Sequence, residues 1–350
     1  MQLKFWHYDL KFVNTWRIAS GLGGAGGSTY AVVFAELSDD KGLKGIGESA
    51  PSSRYAESAT TVDAFLKKVE ARALSFDDVP GSMARLEKLA PGNYAAKTVL
   101  NLALLDGAAK QRKVPIYDFL KLGFTEKKHV TSFSIRIDKP DVIRRKVQDA
   151  APYPVLKLKV GSSDDEQNLA ALRSVAPDKR VRVDANEAWK ARDEALKKIE
   201  ALAGDKNIEF IEQPMPASSK RADMAWLKER SPLPIFGDES CHHVSDVEHC
   251  GECFHGVNVK LVKSGGISGA YDVLTAARKA GLKTMIGCMI ESSVLISAAA
   301  HLAELADHLD IDGNLLISND PYAGPTSDKG IISFASAKEP HGLRVASRRT

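Results

Sequence analysis

Between residues 131 and 316 the chain alternates short apolar runs with longer amphipathic stretches. The runs are TSFSIRI (131–137), PVLKLKV (154–160), RVRVDAN (180–186), IEFIEQP (208–214), LPIFGDE (233–239), GVNVKLV (256–262), LKTMIGC (282–288) and HLDIDGNLL (308–316). Their starts lie 23–28 residues apart, and helix-period segments such as DEQNLAALRSVA and ARDEALKKIEAL fill most of the intervals. Strands alternating with helices in this way predict parallel βαβ units, and eight of them fit a closed barrel better than an open doubly wound sheet. Upstream, LKFWHYDLKF, TYAVVFAELSD and LKGIGESAP read as antiparallel strands. Helical patterns follow at TTVDAFLKKVEARAL, PGSMARLEKLA and NYAAKTVLNLALLDGAAKQR, predicting a small α+β domain that ends near residue 125.

Polar residues gather where those barrel strands end, which is where such barrels carry their chemistry. In strand order they are Lys157 and Lys159, Asp184 and Asn186, Glu212, Asp238 and Glu239, Lys260, and Asp310 and Asp312. Side chains alternate across a strand, so each pair spaced by two presents one face to the barrel mouth. Lysine is rarely buried without a partner. Lys157 and Lys159 are therefore expected to point into the carboxylates rather than to guard a sheet edge.

Asp184, Glu212 and Asp238 stand on adjacent strands as hard oxygen donors, a set that suits Mg²⁺. The alternative is an acidic cluster neutralised by the lysines. Lys159 and Lys260 fall four strands apart on the ring and should flank the site from opposite sides. Burial and the neighbouring Lys157 are expected to lower the pKa of Lys159, as a base requires. A divalent ion holding a substrate carboxylate would stabilise the enolate left when an α-proton departs, so two opposed lysines could invert that carbon. Ion-pair partners of the carboxylates are the competing reading of both lysines.

Composition narrows the partners. A formal charge of +3 over 350 residues provides neither a basic stripe for nucleic acid nor a polybasic membrane anchor. MQLKFWHYDLKF lacks the apolar run of a signal peptide, and no stretch reaches the length of a membrane span, so a cytoplasmic location is expected. A small-molecule substrate fits this picture, and a homo-oligomer is compatible with it. Cys241, Cys250 and Cys253 lie among histidines in CHHVSDVEHCGECFHG, a candidate zinc site. With no second spaced pair, buried thiols are the expected reading. Gly21, Gly23 and Gly26 match a dinucleotide fingerprint, but a β-branched run follows where a helix is needed, so the segment is expected to be a loop or lid.

Taken together, LKLKVG, RVDANEAW, FIEQPMP, GDES, VNVKLVKSGGI and GCMIESSV make the chain resemble the enolase superfamily, in its muconate lactonizing enzyme-like subgroup, over nearly its whole length. The resemblance implies a (β/α)7β TIM-like barrel with an α+β capping domain. Residues 1–125 would form the cap, 126–324 the barrel, and 325–350 would pack back on the cap. It implies Mg²⁺ on Asp184, Glu212 and Asp238, with Lys159 and Lys260 as the acid/base pair. Lys157 would support Lys159 on the substrate side, and Asn186 and Glu239 would stand behind the ligands. The glycine-rich loop 20–28 and SAPSSRYAES would close over substrate.

LDIDGN on the last strand is similar to the Asp-x-Asp of dipeptide epimerases, in which Asp310 and Asp312 would hold a free α-ammonium. No histidine stands on LKTMIGC to make the His–Asp dyad of mandelate racemase-like relatives. The expected activity is epimerisation of the C-terminal residue of a dipeptide through an enolate. Relatives acting on alanyl-glutamate usually carry a basic group in the capping loop. Here no basic residue follows Arg17 before Thr29, and Arg54 is the candidate substitute. The alternatives are o-succinylbenzoate synthase or N-succinylamino acid racemase chemistry, or an inactive barrel used for binding. The cost of keeping so much buried charge unused weighs against the last.

Overall fold

The computed structural model describes residues 1–13 and 28–348; Arg17, Gly21, Gly23, Gly26 and most of the glycine-rich loop lie outside the described residues. Strands β1 (Gln2–Lys11), β2 (Thr29–Ser38) and β3 (Lys44–Ser49) form an antiparallel sheet in the order β1-β2-β3. Helices α1 (Ala59–Leu66), α2 (Val79–Leu89) and α3 (Tyr94–Gln111) follow, then the single turn α4 (Ile116–Phe119). In α3 every residue from 95 to 109 is buried, as expected of a helix packed on all sides. One side lies on the small sheet, where Gly45 and Gly47 permit contact: a Cβ on either would sit 1.9 Å from an α3 carbonyl oxygen. The other side meets the barrel, where Thr98 Oγ1 donates to the Leu261 carbonyl at 3.1 Å.

Eight parallel strands make the barrel in chain order: β4 (Phe133–Ile135), β5 (Val155–Lys159), β6 (Arg180–Asp184), β7 (Ile208–Glu212), β8 (Ile235–Gly237), β9 (Gly256–Lys260), β10 (Lys283–Gly287) and β11 (His308–Asp310). A parallel bridge between Thr131 and Leu309 joins the ends and nearly closes the ring. The helices between strands are α5 (Pro140–Asp149), α6 (Asp165–Val175), α7 (Arg192–Ala203), α8 (Arg221–Arg230), α9 (Val247–Cys253), α10 (Leu261–Ser264), α11 (Ile267–Lys279) and α12 (Ser293–Ala300). Phe210, Phe236 and Met285 form a separate buried apolar cluster, the two rings stacked at 4.2 Å.

Several strands end earlier than the apolar runs suggest. β8 stops at Gly237, so Asp238 and Glu239 stand in the following loop, and β11 stops at Asp310 before a 3-10 turn at Gly313–Leu316. Asp312 therefore does not reach the mouth by strand alternation; at φ −97 and ψ 7 its backbone is already turning. After the barrel, Tyr322 packs on Phe34 of β2 at 5.3 Å, and the Leu343 N–H donates to Asp106 of α3 at 2.8 Å. Among the described residues no helix is long and apolar enough to cross a membrane.

Candidate active site

The strand ends bring most of the polar residues into one cleft, while Asp184, Glu212 and Asp238 are fully buried against its lysines. Its lining includes Lys157, Lys159, Lys260, Asn186, Glu239, Asp310 and Asp312 from the barrel, and Tyr30, Ser52, Arg54 and Tyr55 from the cap. Lys157 is 2% exposed, and its Nζ lies 2.9 Å from Asp184 Oδ2, 2.8 Å from Glu212 Oε2 and 2.6 Å from Asp310 Oδ2. Lys159 Nζ donates to the same Asp184 oxygen at 2.6 Å and to Asn186 Oδ1 at 2.9 Å. Across the ring, Lys260 Nζ is 2.7 Å from Asp238 Oδ2. The two lysines stand on strands four apart, β5 and β9.

Sequence reasoning missed two partners. Lys263 is fully buried and donates to Asp238 Oδ1 at 2.6 Å and to the Asp238 carbonyl. It lies on the single turn α10, where the apolar pattern reads as continuing strand. Asn258 donates from Nδ2 to Glu212 Oε1 at 2.8 Å. Its position two residues before Lys260, on the same strand face, was the available signal.

The electrostatics follow from charge crowding. Burial opposes the charge of Lys157, but Asp184, Asp310 and Glu212 outweigh it and hold the pKa well above the ordinary value. Burial likewise opposes the Lys260 charge, and Asp238 outweighs it. Lowered lysine pKa values were the expectation from burial and neighbouring cations; for Lys260 the direction is the reverse, because a carboxylate touches it. Burial raises Asp184, yet Lys157 and Lys159 bring it down to about 2. Glu212 goes up to about 7, through burial and the Asp184 charge, and Glu239 up to about 8, through burial and the Asp238 charge.

Asp184 and Glu212, at the ends of β6 and β7, and Asp238, just after β8, are buried and closed by ammonium groups, with Lys157 reaching both Asp184 and Glu212. Among the described residues no three His, Cys, Asp or Glu groups are spaced to hold a metal ion. The donor set nevertheless fits a divalent cation. Glu212 Oε2 and Asp238 Oδ2 are buried and accept no hydrogen bond of good geometry, although ammonium groups stand at 2.8 and 2.7 Å. Asp184, Glu212, Asp238, Glu239, Asp310 and Asp312 against Lys157, Lys159, Lys260 and Lys263 leave two negative charges in excess when all are ionised.

Asp310 is held on both oxygens, by Lys157 and by the Ser132 hydroxyl at 2.6 Å. Lys157 is therefore the lysine that competes for the charge of this pair. Asp312 accepts from Ser134 through both the N–H, to Oδ2 at 2.7 Å, and the hydroxyl, and the weak Cys288 thiol donor stands 4.0 Å from Oδ1. Burial and the adjacent Asp310 push Asp312 up to about 7. Arg54 of the cap makes two hydrogen bonds to Glu187, from Nε to Oε2 at 2.7 Å and from Nη2 to Oε1 at 2.6 Å.

The cysteine cluster has local partners of its own. Cys250 donates to the Ser240 carbonyl at 3.4 Å and Cys253 to the Arg221 carbonyl at 3.7 Å, both from buried positions. His255 Nδ1 accepts from the Ile235 N–H at 3.1 Å.

The comparisons with known proteins agree with this architecture. Residues 142–326 match the enolase C-terminal domain-like family, and residues 20–121 match the mandelate racemase / muconate lactonizing enzyme N-terminal domain. The chain is 62% identical to an L-Ala-D/L-amino acid epimerase of Pedosphaera parvula, over 99% of this chain and 100% of the relative. It is 37% identical to an L-Ala-D/L-Glu epimerase of Bacteroides thetaiotaomicron, over 95% of this chain and 85% of the relative. Among solved structures, a dipeptide epimerase of Enterococcus faecalis complexed with Mg and L-Leu-L-Tyr superposes with a TM-score of 0.89 at 26% identity, covering 99% of both chains. The barrel with its separate cap, matched at both domains and along the whole length, makes this chain a member of the mandelate racemase / muconate lactonizing enzyme group of the enolase superfamily.

Proposed function

We propose that this protein is an isomerase that epimerises the C-terminal residue of a dipeptide by two-base proton transfer, with Mg²⁺ as its metal. The observation that carries the reading is the placing of Lys159 and Lys260 on strands four apart, with Asp310 and Asp312 lining the same cleft. The names and ligands of the similar epimerases support it.

Asp184, Glu212 and Asp238 would hold Mg²⁺, which when bound supplies positive charge against the substrate carboxylate and so favours loss of the α-proton. Asp310 and Asp312 would receive the α-ammonium of the first residue and fix the peptide's direction. Lys159 takes the α-proton of one epimer onto Nζ and Lys260 returns a proton to the opposite face, with the roles exchanged for the other epimer. Each lysine must be neutral to accept a proton, so it acts only when the negative charge of its carboxylate partner is otherwise engaged. Lys157 bridges the two carboxylate groups. Asn186 orients Lys159 through the 2.9 Å hydrogen bond, and Glu239 lies 3.4 Å from Asn186 Nδ2. Residues 1–125 with the returning segment 325–350 would act as the cap over a 126–324 barrel, excluding water from the reacting carbon.

A panel of free dipeptides, N-acetylated dipeptides and N-succinylated amino acids incubated with enzyme in D₂O tests the reading. Deuterium should enter the α-carbon of the C-terminal residue of free dipeptides. Uptake confined to the N-succinylated compounds would refute it.

A further inference from the structure

We propose that the Arg54–Glu187 ion pair tunes the cleft to dipeptides whose C-terminal side chain is uncharged, with Glu187 as the residue that denies Arg54 to an acidic one. The inference rests on the dipeptide reading above and goes on to the substrate's side chain.

Arg54 is carried on a short 3-10 turn of the cap at Ser53–Tyr55, and it is the one guanidinium lining the cleft among the described residues. It would be the natural partner of a glutamate side chain on the substrate. Its fork is already filled. Nε and Nη2 each meet one oxygen of Glu187, a bidentate arrangement that matches the planar geometry of both groups. Glu187 is itself fixed, because Oε1 also accepts from the Ala217 N–H at 2.7 Å and the side chain is only 10% exposed. Its backbone is left-handed, at φ 65, a conformation that a non-glycine residue adopts only when its surroundings impose it.

The remaining cap-side and upper wall of the cleft is made of Tyr30, Tyr55, Met289, Ile290 and Leu316. A carboxylate arriving here would meet an electrically neutral pair, the guanidinium at the lining with the Glu187 carboxylate directly behind it. The lysines of the cleft offer no alternative, since Lys157, Lys159 and Lys260 each face a carboxylate of the barrel. An uncharged side chain loses nothing against this wall.

The proposal is tested by the ratio of kcat/KM for L-Ala-L-Glu to that for the near-isosteric L-Ala-L-Gln, measured with Mg²⁺ present. General damage to a variant cancels in this ratio, whereas a change in what the pocket reads does not. The native enzyme should favour the glutamine peptide by about ten-fold or more. In Glu187→Gln the guanidinium keeps one acceptor and loses its counter-charge, so the ratio should move toward the glutamate peptide by about ten-fold or more, roughly one hydrogen bond to a charged group. Arg54→Gln leaves Glu187 ionised and unpaired. There the ratio should fall further and L-Ala-L-Lys should gain relative to L-Ala-L-Gln, which decides the matter if Glu187→Gln does not fold. A native enzyme that takes both peptides equally, or ratios unchanged in the folded variants, would overturn the proposal while leaving dipeptide epimerisation intact. Absence of turnover with every dipeptide would overturn both.

Discussion

Asp312→Asn isolates the group that should read the substrate's amino terminus. Asp310 spends both oxygens inside the protein, one on Lys157 at 2.6 Å and one on the Ser132 hydroxyl at 2.6 Å. Asp312 is met by Ser134 alone at hydrogen-bond distance, through the N–H at 2.7 Å and the hydroxyl, with a thiol 4.0 Å from Oδ1 and no lysine in an ion pair with it among the described residues. A charge-assisted hydrogen bond from the substrate ammonium to this carboxylate would be worth about 1.5–3 kcal/mol. Asparagine keeps an oxygen for Ser134 and loses the charge, so kcat/KM for a free dipeptide should fall roughly 10- to 150-fold. The N-acetylated peptide carries no cation there and should lose much less. Both substrates are assayed by epimer ratio at subsaturating concentration in native enzyme and variant. Equal fractional losses would show that Asp312 supports the barrel rather than the substrate, and the reasoning would fail.

The same carboxylate predicts a pH dependence. With its pKa pushed up to about 7, Asp312 is mostly protonated at pH 6, so the affinity for the non-invertible peptide L-Ala-Gly should strengthen as pH climbs through 7. Calorimetry should show no such rise in Asp312→Asn; the raised value also means that this group's contribution to fold stability, full below the ordinary carboxylate range, declines as pH rises from there to about 7. For the bases, Lys159→Ala and Lys260→Ala should each abolish epimerisation, while each keeps α-deuterium exchange only in the epimer that faces the remaining lysine. Exchange of both epimers surviving in either variant would refute the assignment. Chelation should stop turnover, and Asp238→Asn should shift Mg²⁺ activation to higher concentration while far-UV circular dichroism still reports a folded barrel; full activity in metal-stripped enzyme would refute the metal's role.

The barrel was legible because its signal is periodic. Runs such as RVRVDAN and IEFIEQP became β6 and β7, with Asn186 lining the cleft and Asp184 and Glu212 buried against its Lys157. What was not legible lies where the chain leaves regular structure. Asp312 shares the cleft through a turn that strand alternation does not describe. Glu187 depends on a left-handed backbone after β6, and nothing in RVDANEAW marks its carboxylate as the partner of an arginine 133 residues away. Lys263 enters through a single helical turn that looks like strand in the apolar pattern. The direction expected for the Lys260 pKa went astray for a different reason. Burial alone lowers an ammonium, but the sign is set by contact distances to carboxylates, which no spacing rule supplies.

Charge balance links these pieces to the choice of substrate. Apart from the Arg54–Glu187 pair, Asp184, Glu212, Asp238, Glu239, Asp310 and Asp312 stand against Lys157, Lys159, Lys260 and Lys263, six carboxylates to four ammonium groups. Burial first, and then the neighbouring carboxylates of that excess, push Glu212, Glu239 and Asp312 up to about 7, 8 and 7. A divalent cation would cancel that excess. A dipeptide zwitterion then adds no net charge, and its two ends have opposite partners waiting at opposite sides of the set. An N-succinylated amino acid brings two carboxylates and no ammonium. It would leave Asp310 and Asp312 unmatched beside new negative charge, at a cost of several kcal/mol for burying unpaired ions. The acidic pair at the end of the last strand and in the turn after it would thus be the feature by which the cleft discriminates between these two substrate classes, and its removal should narrow the difference between them.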